Sequence, residues 1–163
     1  MSFVESIAKT TAETGRELMR FAGVPQDKAG QSAAGLIPIC PLHPEHLVAI
    51  KNHMLNLSAH DRYLRFGFAA TDEQVTRYVD ELKFDRDEIY GIFNRNLDIV
   101  AMAHLALIRE PDRASMAEFG VSVQAYARGR GYGGRLFERA VMHARNEKIE
   151  LMYIHALSEN APM

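Results

Sequence analysis

The spacing of apolar residues predicts four helices. Apolar side chains recur at intervals of three and four positions in residues 2–21, 44–57, 71–82 and 136–144. This spacing places the apolar side chains of each segment on one helix face. Thr71 and Gln74 also have the spacing of a capping box, which marks the start of the third helix.

Short apolar runs between these segments predict strands. The runs are residues 36–40, 88–93, 99–108, 117–123 and 150–157. Turn-forming residues separate the second run from the third, which predicts a hairpin with long strands. After the first helix the order is strand, two helices, three strands, helix and strand. This order predicts a mixed α/β fold, in which helices flank a central sheet.

The first 35 residues differ from the rest of the chain. Gly15 and the threonines around it weaken the predicted first helix, and residues 25–35 are small and polar, as in a linker. We therefore expect residues 1–35 to be a helical extension with a linker, which either docks a partner or has no function of its own. Residues 36–163 are expected to form one folded domain with a buried core.

Composition excludes several classes of protein. The net charge of −2 argues against a general nucleic-acid binder, which would be basic. A single cysteine, Cys40, excludes an internal disulfide framework and fits a reducing compartment. No segment has the ~20 apolar residues that a membrane span needs, and residues 1–23 lack the pattern of a secretory leader. The expected location is cytoplasmic.

The spacing of the seven histidines does not suggest a metal site. His46 and His53 lie about 10 Å apart along a helix, which is too far to share an ion. His43 and His46 are closer, but no acid or cysteine near them completes a set of ligands. We expect no metal cofactor.

The most informative segment is a basic, glycine-dense loop between a strand and a helix. Residues 121–134 run from the strand through the loop into the helix. Glycines let backbone amides approach a ligand closely, and the amino end of a helix adds positive potential. The arginines of the loop supply fixed positive charge. The loop is therefore suited to an anion such as a pyrophosphate.

One interpretation of this loop is a dinucleotide-binding fingerprint, because Gly129, Gly131 and Gly134 match its spacing. Two features oppose it. Five residues separate Val123, at the end of the strand, from the first of these glycines. The next strand carries His155 at the position where a dinucleotide-binding fold has an acidic residue.

A second interpretation follows from Arg128-x-x-Gly131-x-Gly133. This motif resembles the acetyl-CoA loop of the Gcn5-related N-acetyltransferase (GNAT) superfamily. Residues 117–123 resemble the preceding strand of bacterial protein-lysine acetyltransferase domains, residues 62–66 a segment after their first helix, and residues 151–160 their following strand. The resemblance covers residues 36–163 and implies a mostly antiparallel central sheet flanked by helices.

The resemblance also implies a set of binding residues. Backbone groups of two strand valines would pair with the pantetheine amides, and the loop amides would hold the pyrophosphate. The residues assigned to acetyl-CoA are Val121, Val123, Arg128, Gly129, Arg130, Gly131, Tyr132, Gly133, Gly134 and Asn160. A strand amide near Val121 would meet the oxyanion that forms during acetyl transfer.

Glu118 is the candidate catalytic residue. An amine must lose a proton before it attacks a thioester, so a carboxylate at this position can serve as general base. The implied function is acetyl transfer to a primary amine, either a protein lysine or a small molecule. His155 is a second titratable group near the cleft. The alternative is a non-catalytic acyl-CoA-binding or sensor module with the same fold.

In the superfamily, the asparagine that Asn160 matches begins a further helix, followed by two more strands. The chain given ends three residues later, at Met163. The sequence therefore predicts either a fold that continues beyond this residue, or a homodimer in which a second copy covers the unpaired last strand.

Overall fold

The computed structural model describes residues 17–20 and 37–154. These residues form a six-stranded sheet in the order β1-β6-β5-β4-β3-β2. The strands are β1 Glu17–Arg20, β2 Cys40–Pro41, β3 Glu88–Phe93, β4 Ile99–Ile108, β5 Met116–Val123 and β6 Leu151–Ile154. All neighbouring strands are antiparallel except β5 and β6, which are parallel. The predicted mixed, mostly antiparallel sheet is confirmed.

Four helices pack against the sheet. They are α1 Leu47–Leu55, α2 Ala59–Phe66, α3 Asp72–Asp80 and α4 Tyr132–Asn146. Short 3₁₀ turns at Pro44–His46 and Ala125–Ala127 precede α1 and follow β5. α4 connects β5 to β6, and a connection of this length is what allows two consecutive strands to run parallel.

The sheet separates two apolar clusters. On one face, α4 buries Leu136, Ala140 and Ala144 against β4, β5 and β6. On the other face, α1 and α3 bury residues such as Ile50 and Val75 against β3 and β4. The sheet is therefore covered on both faces, and its strands read as apolar runs for that reason.

The strand and helix predictions agree with most of these elements. The hairpin strands β3 and β4 have the predicted bounds, and the capping box of α3 is present, with Thr71 and Gln74 each bonded to the backbone amide of the other. The prediction of two helices between β2 and β3 was wrong. Residues 59–66 form a third helix, α2, which begins at the Ser58 cap and ends at Gly67 with φ +79°. Its two turns are too short to show a clear apolar repeat.

The helix predicted for residues 2–21 was also wrong where the structure describes it. Glu17–Arg20 were predicted to be helical but form a strand that pairs antiparallel with β6. β6 therefore has neighbours on both sides, so the prediction that it is unpaired was wrong, and with it the reason for expecting a homodimer. The rest of the predicted extension and linker lies outside the described residues, and the division at residue 35 stays a prediction.

β5 continues beyond its pairing with β6. The described part of β6 pairs with Met116–Phe119 of β5, as the Phe119–Ile154 pair shows. The remaining residues of β5, up to Val123, pair with β4 on one side only. Within residues 17–20 and 37–154, no strand covers their other side. Among the described residues, nothing in the sheet blocks the approach of a ligand to the backbone groups at this end of β5.

Candidate functional site

A cavity of about 610 Å³ lies at the open end of β5. α2, β5, the 3₁₀ turn and the start of α4 form its walls. Its lining includes the predicted site residues Glu118, Val121, Val123, Arg128, Gly129, Gly131, Tyr132 and Gly133. Two of the predicted residues, Arg130 and Gly134, are exposed beside it. Asn160 and His155 lie outside the described residues.

The amino end of α4 has no side-chain cap. Ser58 and Thr71 cap α2 and α3 with their hydroxyls, but the residue before α4 is Gly131, which has no side chain to donate or accept. The first backbone bond of the helix runs from the amide of Arg135 to the carbonyl of Gly131. In the part of the chain that the structure describes, none of the amides of residues 129–134 donates to a protein acceptor. These amides and the helix dipole together form a site for an anion.

Two different features account for the glycines of this loop. Gly129 and Gly131 have φ of +75° and +76°, a conformation that other residues adopt at a cost. Gly133 and Gly134 have ordinary helical backbones, and a side-chain carbon added to Gly134 would meet no atom within 4 Å. Glycine in a helix is less stable than alanine by roughly 0.5–1 kcal/mol. Packing among the described residues does not explain these two glycines, whose bare backbone leaves room for a ligand to approach the amides.

Arg128 forms an ion pair with Asp61, in the first turn of α2. Burial alone would raise the pKa of Asp61, but hydrogen bonds from Ser58 and Arg128, together with the charge of Arg128, hold that pKa below its usual value. The pair joins the loop to α2 across one end of the cavity. The sequence indicated Arg128 as a residue of this site but gave no sign of Asp61.

Glu118 lies on the wall of the cavity, half-buried on β5. It is opposite Ala106 of β4 and Tyr153 of β6. Because side chains alternate along a strand, Glu118 shares its face with Gly120 and Ser122. This face is turned toward α1, α2 and α3, while Phe119 and Val121 face α4. The candidate base and the loop amides therefore line one cavity.

A buried polar cluster supports the same face of β5. His53 of α1 is hydrogen bonded to the carbonyl of Ile99 at 2.8 Å and to the hydroxyl of Ser122 at 2.8 Å. A carbonyl only accepts, so Nδ1 of His53 carries the proton and Nε2 accepts from Ser122. Gln124 donates to the backbone carbonyl of His53 at 2.8 Å. The cluster fixes α1 against β5 below the cavity.

Burial lowers the pKa of His53 to about 4. The hydrogen bond to the carbonyl of Ile99 partly offsets this decrease, and the positive charge of Arg65 adds to it. The imidazole is therefore neutral at pH 7. The sequence placed His53 on a helix but did not indicate that it is buried. Its partners are 46 to 71 residues away along the chain, so local patterns could not identify them.

Arg65 is a further residue that the sequence did not single out. Its guanidinium lies against Gly120, where a side-chain carbon on that glycine would overlap it, and it also lines the cavity. It donates to the hydroxyl of Tyr78 at 2.8 Å. The φ of Gly120 is not in the positive range, so its backbone conformation does not require glycine. The space that the guanidinium of Arg65 occupies does.

Neither a metal centre nor a membrane span is found in the described ranges. In residues 17–20 and 37–154, no three histidine, cysteine, aspartate or glutamate side chains could hold a metal ion together. No helix in these ranges is long and apolar enough to cross a membrane. The cytoplasmic location stays a prediction.

A family model matches the sequence, and solved structures match the fold. A model of the acetyltransferase (GNAT) family matches residues 54–163, whereas no curated protein sequence matches the chain. The GNAT domain of S. lividans PAT is similar, with a TM-score of 0.61, 18% identity, and coverage of 75% of this chain and 73% of that one. A predicted acetyltransferase from Clostridium acetobutylicum, solved with acetyl-CoA, has a TM-score of 0.57 and 19% identity, with coverage of 77% and 84%.

Glucosamine-6-phosphate N-acetyltransferase from Arabidopsis thaliana has a TM-score of 0.53 and 18% identity, with coverage of 76% of this chain and 84% of that one. These likenesses show a shared fold. The family model spans well over half of the sequence, and the cavity lies within its match. The chain belongs to the GNAT family of acetyltransferases, which use acetyl-CoA as acetyl donor.

Proposed function

We propose that this chain transfers acetyl directly from acetyl-CoA to a primary amine, with Glu118 as general base. One observation supports this most strongly: a carboxylate lines the same cavity as loop amides that have no acceptor within residues 37–154. The amides suit the pyrophosphate of acetyl-CoA, and the carboxylate suits the acceptor amine.

Acetyl-CoA is expected to lie along β5. Its pyrophosphate would accept hydrogen bonds from the amides of residues 129–134 at the amino end of α4. Its pantetheine arm would then extend along the open side of β5, where backbone groups near Val121 and Val123 have no strand partner on one side within the described ranges. This arrangement places the thioester between the loop and Glu118.

The reaction needs one proton acceptor and one site for negative charge. Glu118 takes a proton from the amine, and the nitrogen attacks the thioester carbon to form a C–N bond. The oxyanion that develops on the carbonyl oxygen accepts from a backbone amide near Val121. When the C–S bond breaks, the sulfur leaves with its electron pair and takes a proton from water to give CoA, which balances the proton that Glu118 removes from the amine and then releases to water. The products are an acetamide and CoA.

The acceptor is a protein lysine or a small amine. The resemblance of residues 117–123 to the strand of bacterial protein-lysine acetyltransferase domains favours a lysine. A small amine is also consistent with the fold, since a similar structure is that of a glucosamine-6-phosphate N-acetyltransferase.

A Glu118→Gln variant tests the proposal. The substitution keeps the size of the side chain but removes the base, so kcat should fall by about 10²- to 10⁴-fold, while the dissociation constant for acetyl-CoA stays unchanged. Release of the CoA thiol measures turnover, and calorimetry measures binding. Glu138→Gln, at an exposed position on α4, is the matched control and should retain full activity.

Two outcomes would contradict the proposal. If acetyl-CoA binds but neither the parent chain nor Glu118→Gln releases thiol with any amine, the chain is an acyl-CoA-binding or sensor module. If NAD raises the melting temperature and acetyl-CoA does not, the loop is a dinucleotide site. If our proposal holds, the Arg128→Ala substitution should weaken the binding of acetyl-CoA. NAD should not raise the melting temperature of either the parent chain or the variant.

A further inference from the structure

Arg65 holds a positive charge in the wall of the cavity, and no carboxylate of residues 37–154 forms an ion pair with it. It is half-buried on α2, and its guanidinium occupies the space above Gly120. The ion pairs of the described residues include those of Arg62 and Arg128 but none of Arg65. A cation removed from water is costly unless an anion or several hydrogen bonds compensate it.

A chain of hydrogen bonds fixes the position of this guanidinium. Arg65 donates to Tyr78 at 2.8 Å, Tyr78 donates to Nδ1 of His104 at 2.7 Å, and Nε2 of His104 donates to Asp87 at 2.9 Å. Asp87 accepts further hydrogen bonds from Arg86 and from the amide of Leu107.

The hydrogen-bond chain connects α2, α3, β4 and the loop before β3, and it is buried along most of its length. Burial raises the pKa of Tyr78, so the phenol keeps its proton and acts as a fixed link. The rings of Phe66 and Tyr78 also lie against the guanidinium, with centroids at 5.2 and 5.3 Å from its central carbon. A cation held this rigidly at a cavity is prepared to bind an anion, because its side-chain entropy has already been lost.

The position of Arg65 indicates which anion it binds. Gly120 and Glu118 are successive residues on one face of β5, so the guanidinium lies about 7 Å from the position of the candidate base along the strand. The end of β5, at Val123, lies about 10 Å from Gly120 along the strand, and the loop amides begin only after it, at Gly129. Along β5, Arg65 is therefore nearer to the candidate base, where the acceptor amine is expected, than to the loop amides.

We infer that Arg65 binds an oxyanion group, a carboxylate or a phosphate, carried by the acceptor itself. The acceptor is then an amine joined by a short spacer to an acidic group, with its amine at Glu118 and its acidic group at Arg65. Tyr78 and His104 are positioning residues for Arg65. This inference rests on the proposed function, since it places the acceptor at Glu118.

Two matched pairs of amines test the inference. Glucosamine 6-phosphate and glucosamine differ by the phosphate, and 6-aminohexanoate and hexylamine differ by the carboxylate. In at least one pair the parent chain should show a kcat/KM that is about tenfold or more higher for the acidic member, as expected of a charge-assisted hydrogen bond. The pair that shows the preference identifies the group.

Variants assign the preference to Arg65. Arg65→Gln should abolish it through a higher KM for the acidic amine, with an unchanged dissociation constant for acetyl-CoA. Arg65→Lys should restore it in part, because it keeps the charge without the planar fork. Tyr78→Phe should weaken it in the same direction by releasing the guanidinium. Arg77→Gln, which removes an exposed charge on the neighbouring helix α3, should leave it unchanged.

Calorimetry with the CoA complex separates this inference from the proposed function, because binding needs no turnover. If the acidic amine binds more tightly than its neutral partner in an Arg65-dependent manner but is not acetylated, the inference holds and the catalytic proposal fails. If both members of both pairs bind or react equally, or if the preference survives in Arg65→Gln, the inference is overturned.

Discussion

Acidification should destabilise the fold through His53. The pKa of this imidazole is about 4 in the folded chain, compared with 6.5 for an unperturbed histidine. Between these two values the unfolded chain binds a proton that the folded chain excludes, so the free energy of unfolding falls as the pH falls. The free energy of unfolding falls by about 1.4 kcal/mol per pH unit, or by about 3 kcal/mol between the two pKa values. A domain of this size has about 5–15 kcal/mol of stability, so the loss is a large fraction.

Urea denaturation at several pH values measures this effect. From pH 7 to pH 5 the free energy of unfolding should fall by about 2 kcal/mol, with an unchanged dependence on urea concentration. Asp61 and Asp87 do not contribute in this range. Their folded pKa values are lowered, so the stability that they add is present above pH 4 and is lost only at lower pH.

Two histidine variants test whether His53 causes this loss of stability. His53→Gln should lower stability at pH 7, since it disturbs a buried cluster, but it should remove most of the decrease between pH 7 and pH 5. His60→Gln, at an exposed position on α2, should keep the decrease. If the parent chain loses no stability from pH 7 to pH 5, or if His53→Gln loses as much as the parent, the neutral buried state of His53 is refuted.

Two glycine substitutions give further predictions. Gly131→Ala and Gly67→Ala both force alanine into a positive φ, so each should lose about 1–2 kcal/mol of stability in urea denaturation, but only Gly131→Ala should weaken acetyl-CoA binding in calorimetry. Equal affinity in the two variants would contradict the role of the loop. Gly120→Ala should displace the guanidinium of Arg65 and so abolish the preference for acidic amines, with little change in the melting temperature; a retained preference would contradict the position assigned to Arg65.

Local patterns in the sequence predicted most of the fold. The apolar runs of β3 and β4 and the capping box of α3 are signals carried by neighbouring residues, and both were confirmed. The two errors have different causes, a distant pairing partner in one case and a very short element in the other. Glu17–Arg20 form a strand because β6 pairs with them, and β6 lies about 130 residues later in the chain. α2 was missed because its eight residues hold only two turns.

Several of the residues that the sequence singled out line the cavity, and their roles stay a prediction. The glycine loop could be singled out because a basic, glycine-rich segment at a helix start has a recognisable local order, and Glu118 because residues 117–123 resemble a strand of known acetyltransferase domains. The partners of the site could not be found. The Tyr78–His104 and His53–Ser122 contacts join residues 26 and 69 positions apart, and Arg65 reaches Gly120 across the sheet. Packing determines these contacts, and one sequence contains no spacing signal for them.

A crystal structure of the chain with acetyl-CoA tests the central claim most directly. We expect the pyrophosphate oxygens within hydrogen-bond distance of the amides of residues 129–134 and the thioester beside Val121, facing Glu118. The dissociation constant should be unchanged by Glu118→Gln. Acetyl-CoA bound away from the loop, or a thioester distant from Glu118, would contradict the function that we propose.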